Sequence, residues 1–214
     1  MINITEMLAP KVTNCRPTYA MTPVYITVHN TANTSKGAGA VSHGKYLQSA
    51  AGSAKYVSYH YAVDDKNVVR IIPDNEAAWH AGDGANGAGN RKSIGIEICE
   101  NPESDLRTAT DNAAMLCAVL CKTYSISLAN VVQHNHWSGK KCPNRIRAGE
   151  PYDWATFVAK VCGYYKALAD GIADETDGGK LYLVQTGAFA SRENAEKYAE
   201  NLKANGVAAF VKEQ

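Results

Sequence analysis

Runs of β-branched residues alternate with long amphipathic segments along this chain, and that alternation restricts the fold more than any other feature. Residues 24–29 form such a run, bounded by Pro23 on one side and by a polar Asn-Thr-Ala-Asn sequence on the other, which predicts a strand. Apolar side chains recur at helical spacing through residues 106–124 and again through 152–168, which predicts two long helices that each bury one face. Strands interleaved with helices favour an α/β fold.

Three further strands and one short helix are predicted between these elements. Residues 38–48 have helical spacing, and residues 93–99 form a strand-like run after a glycine-rich loop. Residues 57–63 and 68–72 are also strand-like, and Asp-Asp-Lys-Asn separates them, a sequence typical of a hairpin turn. Most of the predicted core therefore lies before residue 168.

The composition changes after residue 168. Residues 169–179 contain four acids and three glycines and little that could pack, which predicts a linker. The elements predicted beyond it form one βαβ unit: a strand at 181–186, a helix at 191–205 and a strand at 207–211. We therefore expect a main domain over residues 1–168, the acidic linker, and a small module over residues 180–214.

Charge and cysteine content narrow the function classes. The 22 Lys and Arg residues nearly balance the 21 Asp and Glu residues, so long-range charge gives no reason to expect a nucleic acid or a membrane surface as partner. The first ten residues have neither a basic region nor a long apolar core, so we expect synthesis in the cytoplasm without a signal peptide. The six cysteines are therefore expected to be free thiols.

Two histidines and one cysteine stand out as candidate metal ligands. His29 lies at the carboxyl end of the first predicted strand, and His134 and Cys142 flank the sequence Asn-His-Trp-Ser-Gly-Lys-Lys. Zinc binds imidazole and thiolate readily, and three protein ligands leave the fourth position open, as in catalytic sites. The spacing alone also allows His29 to be an ordinary buried histidine and Cys142 to be a loop thiol.

Five motifs of this chain occur in the order found in one enzyme family. They are Thr-Val-His-Asn-Thr, His-Tyr-Ala-Val-Asp-Asp, Ala-Trp-His-Ala-Gly-Asp-Gly, Ser-Ile-Gly-Ile-Glu-Ile-Cys-Glu-Asn and His-x₇-Cys-Pro. Over roughly residues 20–165 the sequence resembles the zinc N-acetylmuramoyl-L-alanine amidases, which include phage and prophage endolysins and are related to peptidoglycan recognition proteins. The resemblance implies a central mixed β-sheet flanked by helices.

The resemblance also assigns roles to five residues. It implies zinc ligation by His29, His134 and Cys142, a catalytic carboxylate at Glu97 and a catalytic lysine at Lys140. These roles agree with general chemistry, because zinc acidifies a bound water, a carboxylate can take the proton of that water, and a fixed cation can stabilise an oxyanion.

Two rivals of these residues lie nearby in the sequence. Glu97 shares its strand phase with Gly95 and points away from the isoleucine face, whereas Glu100 takes the opposite phase and is the competing carboxylate. His136 lies six residues before Cys142, and the family motif selects the histidine eight residues before it. We therefore expect His136 to be a surface residue or to support a ligand.

Four residues are predicted to contact substrate: Asn30, Trp79, His80 and Asn90. His80, in the sequence Trp-His-Ala-Gly, has two open interpretations, a wall of the substrate cleft or a packed loop histidine. The glycine-rich loop at 81–95 lacks the Gly-Lys-Ser/Thr sequence of a phosphate loop. We interpret it as a mobile wall of the cleft that carries Asn90.

The end of the sequence resembles a second family. Residues 181–196, with Val-Gln-Thr-Gly-Ala-Phe before an alanine-rich helix, resemble the first half of a SPOR domain, a peptidoglycan-binding module that prefers glycan without stem peptides. One βαβ unit is predicted where the usual module has two. Because a segment of roughly 35 residues rarely holds a core alone, we expect two copies to pair in a homodimer, or the tail to dock on its own main domain.

Together these features predict a zinc-dependent hydrolase that cleaves the amide between N-acetylmuramic acid and the L-alanine of the stem peptide in bacterial peptidoglycan. The resemblance to endolysins implies that the protein, made in the cytoplasm, acts on the cell wall after phage- or prophage-type export. A non-catalytic peptidoglycan-binding protein on the same fold is the alternative. A zinc deaminase is disfavoured, since the sequence lacks the Cys-x-x-Cys ligand pair.

Overall fold

The structure is a computed structural model. It describes residues 3–170 continuously and, farther along the chain, residues 191–193, 196 and 200. The chain divides into two compact units, residues 1–165 and residues 166–214.

The predicted C-terminal elements fall largely outside the described residues. These include the linker beyond residue 170 and both predicted strands, at 181–186 and 207–211. Of the helix predicted at 191–205, residues 192, 193, 196 and 200 are described and have helical backbone. The domain boundaries and the βαβ module therefore stay predictions.

A six-stranded mixed β-sheet forms the centre of the first unit. In chain order its strands are β1 (Ile4–Glu6), β2 (Tyr25–Asn30), β3 (Tyr61–Val63), β4 (Val68–Arg70), β5 (Ser93–Ile98) and β6 (Val131–Gln133). In space they lie in the order β1-β4-β3-β5-β2-β6. Among these described strands, β3 and β4 pair antiparallel through the predicted hairpin, and the other neighbours run parallel.

Helices cover both faces of this sheet. The described helices are α1 (Ala40–Gln48), α2 (Ala50–Ser53), α3 (Ala88–Lys92), α4 (Leu106–Thr123), α5 (Asn135–Ser138), α6 (Asn144–Arg147) and α7 (Trp154–Asp170), and a short 3₁₀ turn spans Leu128–Asn130. Asp105 accepts a hydrogen bond from the backbone N–H of Thr108 at 2.7 Å. This cap satisfies one of the free donors at the start of α4 and fixes where the helix begins.

Alternation along the strands divides the buried residues into two cores. Ile26 and Val28 of β2 and the isoleucines of β5 pack with apolar residues of α4 and α7 in the larger core. Ala62 of β3 and Val69 of β4 belong to the smaller core, which includes Leu47 of α1. Because successive strand residues point to opposite faces, the two cores lie on opposite sides of the sheet, and the predicted α/β class is confirmed.

Two details of the strands differ from the prediction. β3 begins at Tyr61 rather than at residue 57, since Val57 is exposed and the N–H of Ser58 bonds to the carbonyl of Trp79 in a loop. The structure also contains β1 and β6, which the sequence does not predict. Each has three residues, too few for alternation to be recognised.

The six cysteines are free, as predicted. Cys117 and Cys121 of α4 are buried in the larger core, where they pack as small apolar side chains. Within the described part of the chain, no helix is both long enough and apolar enough to cross a membrane.

Candidate metal centre and active site

Three parallel strands bring their carboxyl ends to one edge of the sheet. β2 and β5 pair with His29 opposite Glu97, and β6, on the other side of β2, ends just before His134. The backbone N–H of His134 bonds to the carbonyl of Val28 at 3.2 Å, which continues the pairing of β2 and β6 up to the histidine. Ligands of open α/β sheets commonly bind outside the carboxyl ends of the strands.

A short loop returns Cys142 to the two histidines. Helix α5 ends at Ser138, and the next residue, Gly139, has a positive φ of 72° that reverses the chain, a conformation that glycine adopts without strain. The N–H of Asn135 bonds to the carbonyl of Cys142 at 3.0 Å. Beyond Cys142, the N–H of Arg145 donates to Oδ1 of Asn30 at 3.1 Å. These two hydrogen bonds hold the segment around Cys142 against Asn135 and Asn30, the residues that follow His134 and His29 in the sequence.

The ligand atoms of His29, His134 and Cys142 converge, and all lie within 4.8 Å of one another. The Nδ1 atoms of the two histidines are 2.9 Å apart, and Sγ of Cys142 lies 3.8 Å from Nδ1 of His29. Around a tetrahedral zinc ion with ordinary bond lengths, these separations should be about 3.3 Å and about 3.6 Å. The three residues therefore fit one four-coordinate ion, with one position left over.

Burial sets the protonation of these ligands before any ion binds. It lowers the pKa of His29 well below the usual value, and it also lowers the pKa of His134. Burial raises the pKa of the Cys142 thiol to about 11. At neutral pH both rings are therefore neutral and can offer a lone pair, while Cys142 keeps its proton until a cation displaces it.

Glu97 approaches the same point from β5. Its Oε1 lies 3.9 Å from Nδ1 of His29, and its Oε2 is buried and has no hydrogen-bond partner among the described residues. Burial raises the pKa of Glu97 to about 8, although the charge of Lys140 acts to lower it. A carboxyl group whose pKa lies near neutral pH can both take up and release a proton.

Glu100, the competing carboxylate, holds the surrounding loops together. Its side chain is 1% exposed. One oxygen, Oε1, accepts hydrogen bonds from Nε of Arg145 at 2.8 Å and from Nδ2 of Asn144 at 3.3 Å. The other accepts from the backbone N–H of Ala32. Both oxygens of Glu100 are thus engaged, which leaves Glu97 as the carboxylate that faces the ligand atoms.

Lys140 and His136 lie on the surface beside the site. Lys140 is exposed, yet its charge lowers the pKa of both ligand histidines and of Glu97, so its electrostatic field reaches the site. His136 is exposed as well, and its ring packs against the ring of Trp137 with 4.6 Å between centroids. It lies outside the group of converging ligand atoms.

The four residues predicted to contact substrate differ in exposure. Trp79 is partly exposed, and its indole N–H donates to the carbonyl of Asn14 at 2.9 Å. Asn30, His80 and Asn90 are buried. Nδ2 of Asn30 has no hydrogen-bond partner within the described structure. The contacts of these four residues with substrate stay predictions.

The loop predicted as a mobile wall contains helix α3 and an internal hydrogen-bond network. Asp83 accepts hydrogen bonds from the N–H groups of Gly89 at 2.6 Å and Asn90 at 3.2 Å. Oδ1 of Asn90 accepts in turn from the N–H groups of His80 and Ala81, both at 2.8 Å. The bonded residues are six to ten positions apart in an irregular turn, so no periodicity in the sequence signals them.

The matches to known families agree with this arrangement. The N-acetylmuramoyl-L-alanine amidase family model matches residues 19–145, more than half of the chain. The chain belongs to this family. The SPOR domain model matches residues 158–213, a stretch that begins within α7.

Two amidases of Bacillus subtilis (strain 168) are among the most similar relatives. The amidase XlyA is 50% identical over 163 residues, which cover 76% of this chain and 52% of XlyA. CwlH is 50% identical over 146 residues, which cover 68% of this chain and 57% of CwlH. The chain thus spans about half the length of these relatives.

Two solved structures share this fold. The catalytic domain of XlyA has a TM-score of 0.69 and 49% identity, and the match covers 75% of this chain and 99% of that domain. PlyL has a TM-score of 0.64 and 37% identity, with 75% of this chain and 97% of PlyL covered. These matches confirm the central mixed sheet flanked by helices.

Proposed function

We propose that this chain is a zinc-dependent amidase that hydrolyses the amide between N-acetylmuramic acid and the L-alanine of the stem peptide in bacterial peptidoglycan. One observation carries the proposal: the ligand atoms of His29, His134 and Cys142 converge within 4.8 Å, with a carboxyl oxygen of Glu97 3.9 Å from the first of them. Membership of the amidase family and the relatives named amidases support the substrate.

The donor set favours zinc among the common metals. Two imidazole nitrogens and one thiolate suit zinc, whereas magnesium and calcium prefer oxygen ligands. Three protein ligands leave a fourth position open, which distinguishes catalytic from structural zinc sites. When bound, zinc supplies Lewis acidity, which polarises a carbonyl group and acidifies water.

Two protein side chains supply the other catalytic functions, proton transfer and charge stabilisation. Glu97 takes a proton from the attacking water as the new carbon–oxygen bond forms, and returns a proton to the nitrogen as the carbon–nitrogen bond breaks. Lys140 offsets the negative charge that develops on the carbonyl oxygen. In the metal-free protein, burial raises the pKa of Glu97 to about 8, and a bound zinc ion would lower that pKa towards the range in which the carboxylate accepts a proton.

The C-terminal segment is proposed to keep the enzyme on the cell wall. The SPOR match over residues 158–213 supports a peptidoglycan-binding role. Pairing of two copies into a homodimer is part of the same proposal, and sedimentation at micromolar concentration tests it, because a strictly monomeric protein would contradict it. We also propose that the protein acts on the wall after release from the cytoplasm.

Mass analysis of digested peptidoglycan tests the enzymatic proposal. The zinc-loaded protein should release stem peptides that begin with L-alanine and leave glycan strands that carry free lactyl carboxylates. A chelator should stop the release and added zinc should restore it, while the Glu97→Gln variant should bind zinc and release nothing. Binding to peptidoglycan without any product would instead identify a non-catalytic recognition protein.

A further inference from the structure

His80, a buried histidine, contacts the ring of His29 on the side away from the converging ligand atoms. Nδ1 of His80 is 3.1 Å from Nε2 of His29, and the two rings meet edge to face at 87°. Nε2 of His80 is 3.1 Å from the carbonyl oxygen of Ser93. These contacts form a chain from the backbone of β5, through His80, to the far nitrogen of His29.

The donor and the acceptor of each hydrogen bond in this series follow from the carbonyl group of Ser93, with which the series begins. The oxygen of Ser93 can only accept, so Nε2 of His80 must carry the proton and donate it. A neutral imidazole has one N–H, so Nδ1 of His80 is an acceptor. Nε2 of His29 must therefore donate to it, and the neutral ring of His29 carries no proton on Nδ1. Nδ1 is the atom that faces His134 and Cys142.

The position of His80 is itself fixed on two sides. Oδ1 of Asn90 accepts hydrogen bonds from the N–H groups of His80 and Ala81, and the Nδ2 group of Asn90 donates to the carbonyl of Gly84 at 3.0 Å. The ring of His80 packs on Gly95 of β5, where an added Cβ would lie 2.7 Å from Cγ of His80. Glycine at this strand position leaves the space that the ring occupies.

We propose that His80 is a positioning residue that selects the His29 tautomer with a free Nδ1 and so prepares that nitrogen to bind the metal. This role rests on the metal site proposed for His29. It differs from the substrate contact predicted for His80, because the polar atoms of the ring are directed at His29 and Ser93. Partners of this kind commonly orient metal-binding histidines, and their loss weakens metal binding about 10- to 100-fold.

A matched pair of variants separates the hydrogen bond from packing. Asparagine and leucine have nearly the same shape, but only asparagine offers an oxygen at the position of Nδ1. We expect His80→Leu to raise the zinc dissociation constant about 10- to 100-fold, and His80→Asn to restore most of the affinity. Competition with a chromophoric chelator measures both constants, and circular dichroism with urea unfolding identifies any variant that is not folded. Equal zinc affinity in two folded variants would overturn the proposal.

The tautomer of His29 can be read in the metal-free wild-type protein, without any variant or substrate. Nitrogen-15 shifts of the imidazole should show the proton of His29 on Nε2, and His80→Leu should move it towards Nδ1. A wild-type His29 that is protonated on Nδ1 would refute the proposal. A protein that binds zinc with the expected tautomer and releases no peptide would refute the proposed enzymatic function and leave the role of His80 standing.

Discussion

Two buried polar clusters lie on the same sheet, and they differ in which groups converge. In the cluster around Asp74, three donors meet one acceptor: the hydroxyl groups of Tyr61 and Tyr124 donate to Oδ2 at 2.9 and 2.8 Å, and Arg70 donates to it at 3.4 Å. At the candidate metal centre, atoms that can bind a metal ion converge instead. The imidazole nitrogens and the thiol sulfur face one another with a carboxyl oxygen nearby.

This difference indicates the role of each cluster. Oδ2 of Asp74 accepts from three donors, whereas its Oδ1 is buried without a hydrogen-bond partner among the described residues. Because the donors offset the charge of the carboxylate, the Asp74 cluster stabilises the fold. Acceptors that face one another in a buried site are stabilised only by a proton or a cation between them. At the candidate metal centre the proposed zinc ion would be that cation, so changes in the two clusters should have different consequences.

The largest expected effect comes from removing one of the converging ligand atoms. Cys142→Ser should lose zinc and reduce peptide release by about 10³-fold or more, because the remaining histidines hold the ion poorly and thiolate is the strongest donor of the set. Tyr124→Phe, which removes one donor from the Asp74 cluster, is the matched control and should keep full activity. Zinc content and the rate of peptide release measure both, and an active, zinc-free Cys142→Ser protein would contradict the comparison.

The reverse experiment removes the charged acceptor of the Asp74 cluster. Asp74→Asn should lower the free energy of unfolding by about 2 kcal/mol, since charge-assisted hydrogen bonds are lost in a buried site, and Tyr124→Phe should cost about 1 kcal/mol. Zinc affinity should not change in either variant. Urea unfolding and zinc titration measure the two quantities, and a weaker zinc affinity in Asp74→Asn would show that the clusters are coupled.

A smaller effect concerns the pH dependence of the metal-free protein. The pKa of Glu97 is raised from 4.5 to about 8 in the folded state, so between these pH values the folded protein binds more protons at this residue than the unfolded chain. Its contribution to stability is therefore lost as the pH rises from about 4.5 to about 8. Buried neutral histidines such as His60 have lowered pKa values and act with the opposite sign.

The comparison of wild-type protein with Glu97→Gln isolates this contribution, because the histidines are the same in both. The wild type should lose stability relative to the variant as the pH rises through this window. Unfolding in the presence of a chelator, at several pH values, measures the difference. A difference that does not change with pH would show that the Glu97 carboxyl group is not held in the uncharged form.

The positions of some site residues can be predicted from local patterns in the sequence. A strand has a period of two residues, so the phase of Glu97 against the neighbouring isoleucines can be predicted without any structure. The position of His29 at the end of β2 follows from the polar residues after it. Both depend on interactions between residues close in the sequence, which is why the sequence alone indicates them.

Other parts of the site depend on contacts between distant segments. β6 has three residues and gives no recognisable pattern, so the placement of His134 beside His29 came from the resemblance to a family. The hydrogen bond between His29 and His80 joins residues 51 positions apart. Its geometry requires Gly95 under the ring of His80, and no propensity or spacing in either segment encodes that contact.

X-ray absorption at the zinc edge tests the convergence of the three ligands most directly. The full-length protein loaded with one equivalent of zinc should show two nitrogen ligands at about 2.0–2.1 Å, one sulfur ligand at about 2.3 Å and one further light atom in the open position. Loss of the sulfur ligand in Cys142→Ser would assign it. A shell without sulfur, or with two or more sulfur atoms, would place the ion elsewhere and contradict the account.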